Sequence, residues 1–113
     1  MEDYNKIKII ISDIDGVWTD GSVYKGTDNM EFKKFSVFDG VGVAYARAAD
    51  LKIAIISARY SPATEYRAKE LNIKDCYNGG LNKLHAYNEI KQKYSLSDDM
   101  IAYLGDDMVL SLI

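Results

Sequence analysis

The chain has 113 residues, 14 Lys plus Arg against 17 Asp plus Glu for a net charge of −3, and 48% apolar residues. That is the size of one domain with a proper core and the composition of a globular protein, not a disordered one. The mild acidity excludes the basic face that a nucleic-acid binder needs, and a single cysteine (Cys76) with a single histidine (His85) excludes a disulfide framework and a Cys/His zinc cluster.

The first element in chain order is the β-branched run at residues 9–11, closed by Ser12 and Asp13, which has the signature of a buried strand. It is far too short for a signal peptide or a membrane span, so we expect a cytoplasmic protein with no membrane partner. Residues 22–25 and 30–37 flank Gly26-Thr27-Asp28-Asn29, which reads as a β-hairpin with a four-residue loop. On its second arm Phe35 and Val37 fall out of phase with Met30 and Phe32, so a bulge at Lys33-Lys34 is expected.

Residues 41–51 are Ala-rich and predict a helix with Val41, Ala44, Tyr45 and Ala48 on one face. A second apolar run covers residues 53–56. Ser61-Pro62 reads as an N-cap and first helical residue, opening a helix through Leu71. Residues 74–77 give a weaker strand before the turn Asn78-Gly79-Gly80. Leu84, Tyr87, Ile90 and Tyr94 mark the apolar face of a third helix, and residues 101–104 form a last strand before Gly105-Asp106-Asp107. Strands alternating with helices of this length predict an α/β fold, a doubly wound, Rossmann-like parallel sheet with a β-hairpin insertion after the first strand. One domain over residues 1–113 accounts for the whole chain.

In such sheets ligands bind beyond the carboxyl ends of the strands. Asp13 and Asp15 follow the first strand, Ser57 and Arg59 the second, and the turn leading to Lys83 the third. Asp106 and Asp107 follow the fourth. Any one of these could be turn chemistry, a cap or solvated surface. Together they are the parts for Mg²⁺-dependent phosphoryl transfer: carboxylates for a hard cation, a hydroxyl and an ammonium for phosphate oxygens, and a carboxylate to attack phosphorus. His85, in the first turn of its helix, has no evident carboxylate partner. Trp18 is expected to wall the site or an interface.

Asp13-Ile14-Asp15-Gly16-Val17-Trp18-Thr19-Asp20-Gly21 resembles the first motif of the haloacid-dehalogenase-like phosphatases. More narrowly, the stretch from about residue 7 to 107 is similar to their capless branch acting on 3-deoxy-D-manno-octulosonate 8-phosphate and nonulosonate 9-phosphates. The similarity includes the hairpin, Phe35-Ser36-Val37-Phe38-Asp39-Gly40-Val41-Gly42, Ser57-Ala58-Arg59-Tyr60-Ser61, Arg67, Lys83 and Gly105-Asp106-Asp107. The resemblance implies that Asp13 is the nucleophile and that Asp15 is the general acid and base. It implies that Ser57, Ala58 and Lys83 hold phosphate, and that Asp13, Asp15 and Asp106 hold Mg²⁺. Ser36, Val37, Phe38, Asp39, Gly40, Arg59 and Arg67 correspond to contacts with the sugar acid. It also implies a homo-oligomer, a tetramer in this branch, with a place in lipopolysaccharide biosynthesis.

Two alternatives stay open. A phospho-accepting signalling receiver uses a similar set of groups, although Tyr77-Asn78 stands where its acceptor Asp would be. An inactive, truncated phosphatase-like module kept for oligomerisation is the other. In the resembled fold a further strand and helix follow Asp107, and residues 105–113 are too few for both, since a parallel crossover takes about a dozen residues. A C-terminal truncation, with that strand and helix missing, is therefore the expectation.

Overall fold

The computed structural model describes residues 6–14, 17–19, 24–25, 31–33, 35–80 and 82–105, with the backbone alone at Tyr24, Glu31, Phe32, Val37, Phe38 and Asp39. Its elements run β1 (Ile9–Ser12), β2 (Tyr24–Lys25), β3 (Glu31–Phe32), α1 (Val37–Ala48), β4 (Lys52–Ser57), α2 (Pro62–Glu70), β5 (Asp75–Asn78), α3 (Lys83–Tyr94) and β6 (Ile101–Leu104). The main sheet has the order β5-β4-β1-β6 with every pairing parallel, and β2 and β3 pair antiparallel in a separate ribbon. The doubly wound α/β architecture expected from the alternation is therefore present.

Numbering only the main-sheet strands in chain order gives 3-2-1-4, the Rossmann order. Receiver domains have the flavodoxin-like order, in which the first strand lies between the second and third. Here β1 lies between β4 and β6, the second and fourth, and this removes the receiver alternative.

The strand residues alternate between two cores. Ile9, Ile11, Ala54 and Ile56 pack with Ala86, Tyr87 and Ile90 of α3, while Ile14 and Ile55 pack with Val43 of α1, Ala68 of α2 and Ile73. Both faces of the sheet are thus covered, which explains why β1 and β4 read as continuous apolar runs rather than as alternating ones. Each fully buried isoleucine contributes about 1.5–3 kcal/mol.

Several sequence expectations need correction. Helix α1 begins at Val37, four residues before the expected start, and its buried face carries Val43 and Ala46; Val41 and Tyr45 face outward, Tyr45 being 74% exposed. Two stripes of this helix are apolar, and the sheet takes the one with the smaller side chains because it permits closer approach. Gly40 faces the end of α2, where a Cβ would lie 3.3 Å from Leu71 Cδ2. Its glycine is a packing choice and not a turn signal.

The hairpin was expected over residues 22–37, but its second arm ends at Phe32 and Val37 is already helical. Phe35 packs against the α1/α2 core, and the bulge expected at Lys33-Lys34 falls partly outside the described residues, Lys34 being beyond them. Lys25 pairs with Glu31, so the connection is residues 26–30, outside the described residues. On α3, Ala86 and not Leu84 lies on the buried face. His85 has a carboxylate after all, Glu89 at 3.7 Å one turn on, and both are exposed. Helix α2 matches its expected start, with Ser61 Oγ accepting the Thr64 N–H across the first turn.

Candidate active site

Asp13 follows β1 directly and is 6% exposed; its N–H donates to the Leu104 carbonyl at 2.8 Å, which ties it to the end of β6. Lys83 is the first residue of α3, behind the N-cap Asn82, whose side chain accepts the His85 N–H. A cation at that position opposes the helix dipole, and no acidic residue in the first turn offsets it. The compensation comes from across the sheet: Lys83 Nζ donates to Asp13 Oδ2 at 3.1 Å, with both side chains largely buried. A local rule is broken here and repaired by a partner 70 residues away in the chain.

Ser57 closes β4 and is 3% exposed, with its hydroxyl donating to the Arg59 carbonyl at 3.1 Å. The loop it opens is fastened to the end of β5. Gly79 N–H donates to the Ser57 carbonyl at 2.8 Å and Gly80 N–H to the Ala58 carbonyl at 3.2 Å. The Ser61 backbone is gripped by the Asn78 amide. Gly79 has φ +96°, and a Cβ there would fall 2.7 Å from Tyr60 Cβ, so glycine is required for the two loops to meet. Parallel register brings Asp13, Ser57 and the turn before Lys83 to one rim, the carboxyl ends of the strands.

Arg59 is exposed on the same loop. Arg67 turns to the start of α1, where its Nη2 donates to the Ser36 carbonyl at 3.0 Å. It also pairs with Glu70 and lies over the Phe35 ring, and Gly40 sits beside it. Ser36, Gly40 and Arg67 are thus brought together, with Val37, Phe38 and Asp39 forming the first turn of α1. Asp15, Asp106 and Asp107 lie outside the described residues. Among the described residues no cluster of three metal-ligating side chains occurs. The candidate Mg²⁺ ligand they include is Asp13, an oxygen donor of the right kind for a hard cation.

A cavity of about 610 Å³ lies at the opposite, amino-terminal ends of the strands, lined among others by Lys8, Lys52, Lys74 and Asp75. Its buried carboxylate, Asp75, is already taken up by Lys93 and Tyr94, so the reactive groups belong to the other rim. Cys76, on β5, is half-buried, and burial pushes its thiol up to about 11, with Glu65 adding to the effect. It is an inert packing residue. Tyr60, on the loop after Ser57, is held protonated above the usual phenol range by its hydrogen bond to Glu65.

The chain is 38% identical over 103 residues to the 3-deoxy-D-manno-octulosonate 8-phosphate phosphatase of Escherichia coli K12, covering 91% of this chain and 55% of that protein. The solved phosphatase of the same name from Yersinia pestis superimposes with a TM-score of 0.88 at 37% identity, covering 94% of this chain and 57% of that one. That from Moraxella catarrhalis, a complex with magnesium ion, phosphate ion and a KDO molecule, gives 0.85 at 34% identity, covering 93% and 62%. The chain's homologues are phosphatases of the haloacid-dehalogenase superfamily, and its structural neighbours are of the same family. It spans about half the length of the curated relatives it matches. No family model matches the sequence.

Within that family the sequence had pointed to Asp13, Ser57 and Lys83, but not to the groups that hold them. Asn78 was read as a turn residue and Ser61 as a cap alone; each also binds the other. An amide just before a positive-φ glycine was the available signal. Nothing in the sequence singles out Ser12, and Trp18, expected to wall the site or an interface, also donates its indole N–H to Ser12 Oγ.

Proposed function

We propose that this chain carries the catalytic rim of a phosphoric monoester hydrolase, a Mg²⁺-dependent phosphatase acting on an acidic sugar phosphate. The substrate is 3-deoxy-D-manno-octulosonate 8-phosphate or a nonulosonate 9-phosphate, and the reaction runs through an aspartyl-phosphate. The observation that carries this reading is the Lys83–Asp13 contact at the carboxyl ends of the strands, beside Ser57. The relatives' names and the magnesium, phosphate and KDO in the Moraxella catarrhalis complex support the substrate class and the metal. The single cysteine supports a reducing, cytoplasmic location. No helix among the described residues is long and apolar enough to cross a membrane.

An Asp13 carboxylate oxygen attacks phosphorus, and the bond from phosphorus to the sugar oxygen breaks with its electron pair on that oxygen. Asp15 gives the departing alkoxide its proton. The resulting Asp15 carboxylate then takes a proton from water, whose oxygen attacks phosphorus and releases phosphate with Asp13 regenerated. Two anions 4 Å apart repel by about 4 kcal/mol at an effective dielectric of 20, so the approach of carboxylate to phosphate needs cations. Lys83 supplies one directly, being already on Asp13. Mg²⁺, held by Asp13, Asp15 and Asp106, would neutralise charge on the phosphate oxygens. Ser57 and the Ala58 amide orient those oxygens, while Arg59, Arg67 and the segment from Ser36 to Gly40 receive the sugar acid. A homotetramer is proposed from the resemblance alone.

Hydrolysis of an aryl phosphate with and without Mg²⁺, followed by a panel of sugar-acid phosphates, tests the reading. Metal-dependent release that Asp13→Asn abolishes is the expected result. Equal activity in Asp13→Asn, or none in the parent protein, overturns it and leaves the inactive module.

A further inference from the structure

The chain leaves β1 at Asp13 and has turned back by Trp18. The Val17 and Trp18 N–H groups donate to the Ile14 carbonyl at 3.1 and 2.8 Å, which fixes the turn. This turn carries the Trp18 indole back over the end of the strand. There its Nε1–H donates to Ser12 Oγ at 2.6 Å. An indole nitrogen can only donate, so the Ser12 hydroxyl must send its own proton elsewhere. It donates to the Asp13 carbonyl at 2.8 Å, in a site where Ser12 is 1% exposed.

The consequence is a pin. Ser12 and Trp18 are the two ends of the segment that contains Asp13 and Asp15, and one hydrogen bond between them closes that segment into a ring. Asp13 is then fixed at three points: its N–H by Leu104, its carbonyl by Ser12 and its carboxylate by Lys83. The indole ring packs against the α1/α2 core, so the pin is anchored in the body of the protein and not in solvent.

We propose that Trp18, acting through Ser12, is a positioning residue that holds the backbone of Asp13 in its attacking orientation. The inference rests on the reading of Asp13 as nucleophile. A carboxylate must meet phosphorus in line, and a misplacement of about 1 Å away from the reacting atoms can cost about a hundredfold. The pin sets where the carboxylate starts from, without touching the substrate.

Trp18 is the only tryptophan, so its indole gives one resonance and one emission band in the intact chain. The test compares the parent with Ser12→Ala, which removes the acceptor, Trp18→Phe, which keeps a ring but no donor, the double variant, and Ser12→Thr, which keeps a hydroxyl. The expected result has two parts. In the parent the indole N–H exchanges slowly with solvent, and in Ser12→Ala it exchanges at least about tenfold faster while the fold is retained. With an aryl phosphate and Mg²⁺, each single variant loses about tenfold in kcat with KM within about twofold. The double variant loses no more than either single one, because both changes break the same bond. Ser12→Thr restores slow exchange and most of kcat.

Fast indole exchange in the parent overturns the pin itself. Parent-like kcat in both single variants, losses that multiply in the double variant, or losses confined to KM overturn the positioning role. A parent protein that does not turn over at all overturns the phosphatase reading instead, and the exchange measurement still decides whether the pin exists.

Discussion

Asn78 and Ser61 hold each other by two hydrogen bonds: the Ser61 N–H donates to Asn78 Oδ1 at 3.0 Å, and Asn78 Nδ2 donates to the Ser61 carbonyl at 2.7 Å. The side-chain amide thereby replaces a backbone partner for a residue that is wholly buried and also caps α2. It ties the end of β5 to the loop that begins at Ser57.

Asn78→Leu should therefore destabilise the fold by about 1–3 kcal/mol, since the buried Ser61 N–H loses its acceptor while the Ser61 carbonyl keeps the Glu65 N–H at 3.1 Å. Urea unfolding measures it. A loss below about 0.5 kcal/mol would show that the loop finds other partners.

Gly79→Ala meets two obstacles, a left-handed φ of +96° and the Tyr60 Cβ at 2.7 Å. We expect a cost of about 1–3 kcal/mol, with weakened phosphate binding because the loop must shift. The control is Gly80→Ala, where a Cβ meets nothing within 4 Å although φ +143° still carries strain. Equal losses at the two positions would remove the steric part of the argument.

Lys83→Met keeps the length of the side chain and removes its charge. Asp13, largely buried, then has lost its ammonium, and stability should fall by about 1–3 kcal/mol, discounted from the value for a fully buried pair. Turnover should be lost with it. A variant as stable as the parent would show that solvent, not Lys83, carries the charge of Asp13.

The alkaline limb of stability should be steep. Tyr94 is pushed above the usual phenol range first by its hydrogen bond to Asp75, and Tyr87 first by burial and then by Asp98. Lys93 is raised by the same Asp75. Each group keeps its proton in the folded state at a pH where the unfolded chain has lost it. The stabilisation they contribute is thus complete below about pH 10 and falls as pH rises beyond it. Denaturation midpoints at about pH 8 and 10.5 should differ more in the parent than in the Tyr87→Phe, Tyr94→Phe double variant.

Cys76 offers a separate check on the β5 side of the sheet. With its thiol at about 11 against an ordinary 9.0, the folded protein should react with a thiol reagent at about pH 8 roughly a hundredfold more slowly than the unfolded chain. Equal rates would place Cys76 in solvent.

Much of this was readable from the chain. The apolar runs at β1 and β4, the Ser61-Pro62 helix start and the short last strand are local patterns, set by side-chain period and by backbone preferences at single residues. The convergence of Asp13, Ser57 and Lys83 followed from the parallel alternation alone, because every crossover returns the chain to the same edge. What the sequence did not contain is the choice among equivalent local solutions. Two stripes of α1 are apolar, and only the sheet decides that Val43 and Ala46 turn inward while Tyr45 stays out. Strand β3 ends at Phe32, and Phe35 packs into the α1/α2 core rather than along the hairpin. The donors that fix the site, Trp18 to Ser12 and Asn78 to Ser61, depend on loops closing upon each other in space. A hydrogen bond of that kind leaves no period in the sequence, so the tertiary structure alone decides it.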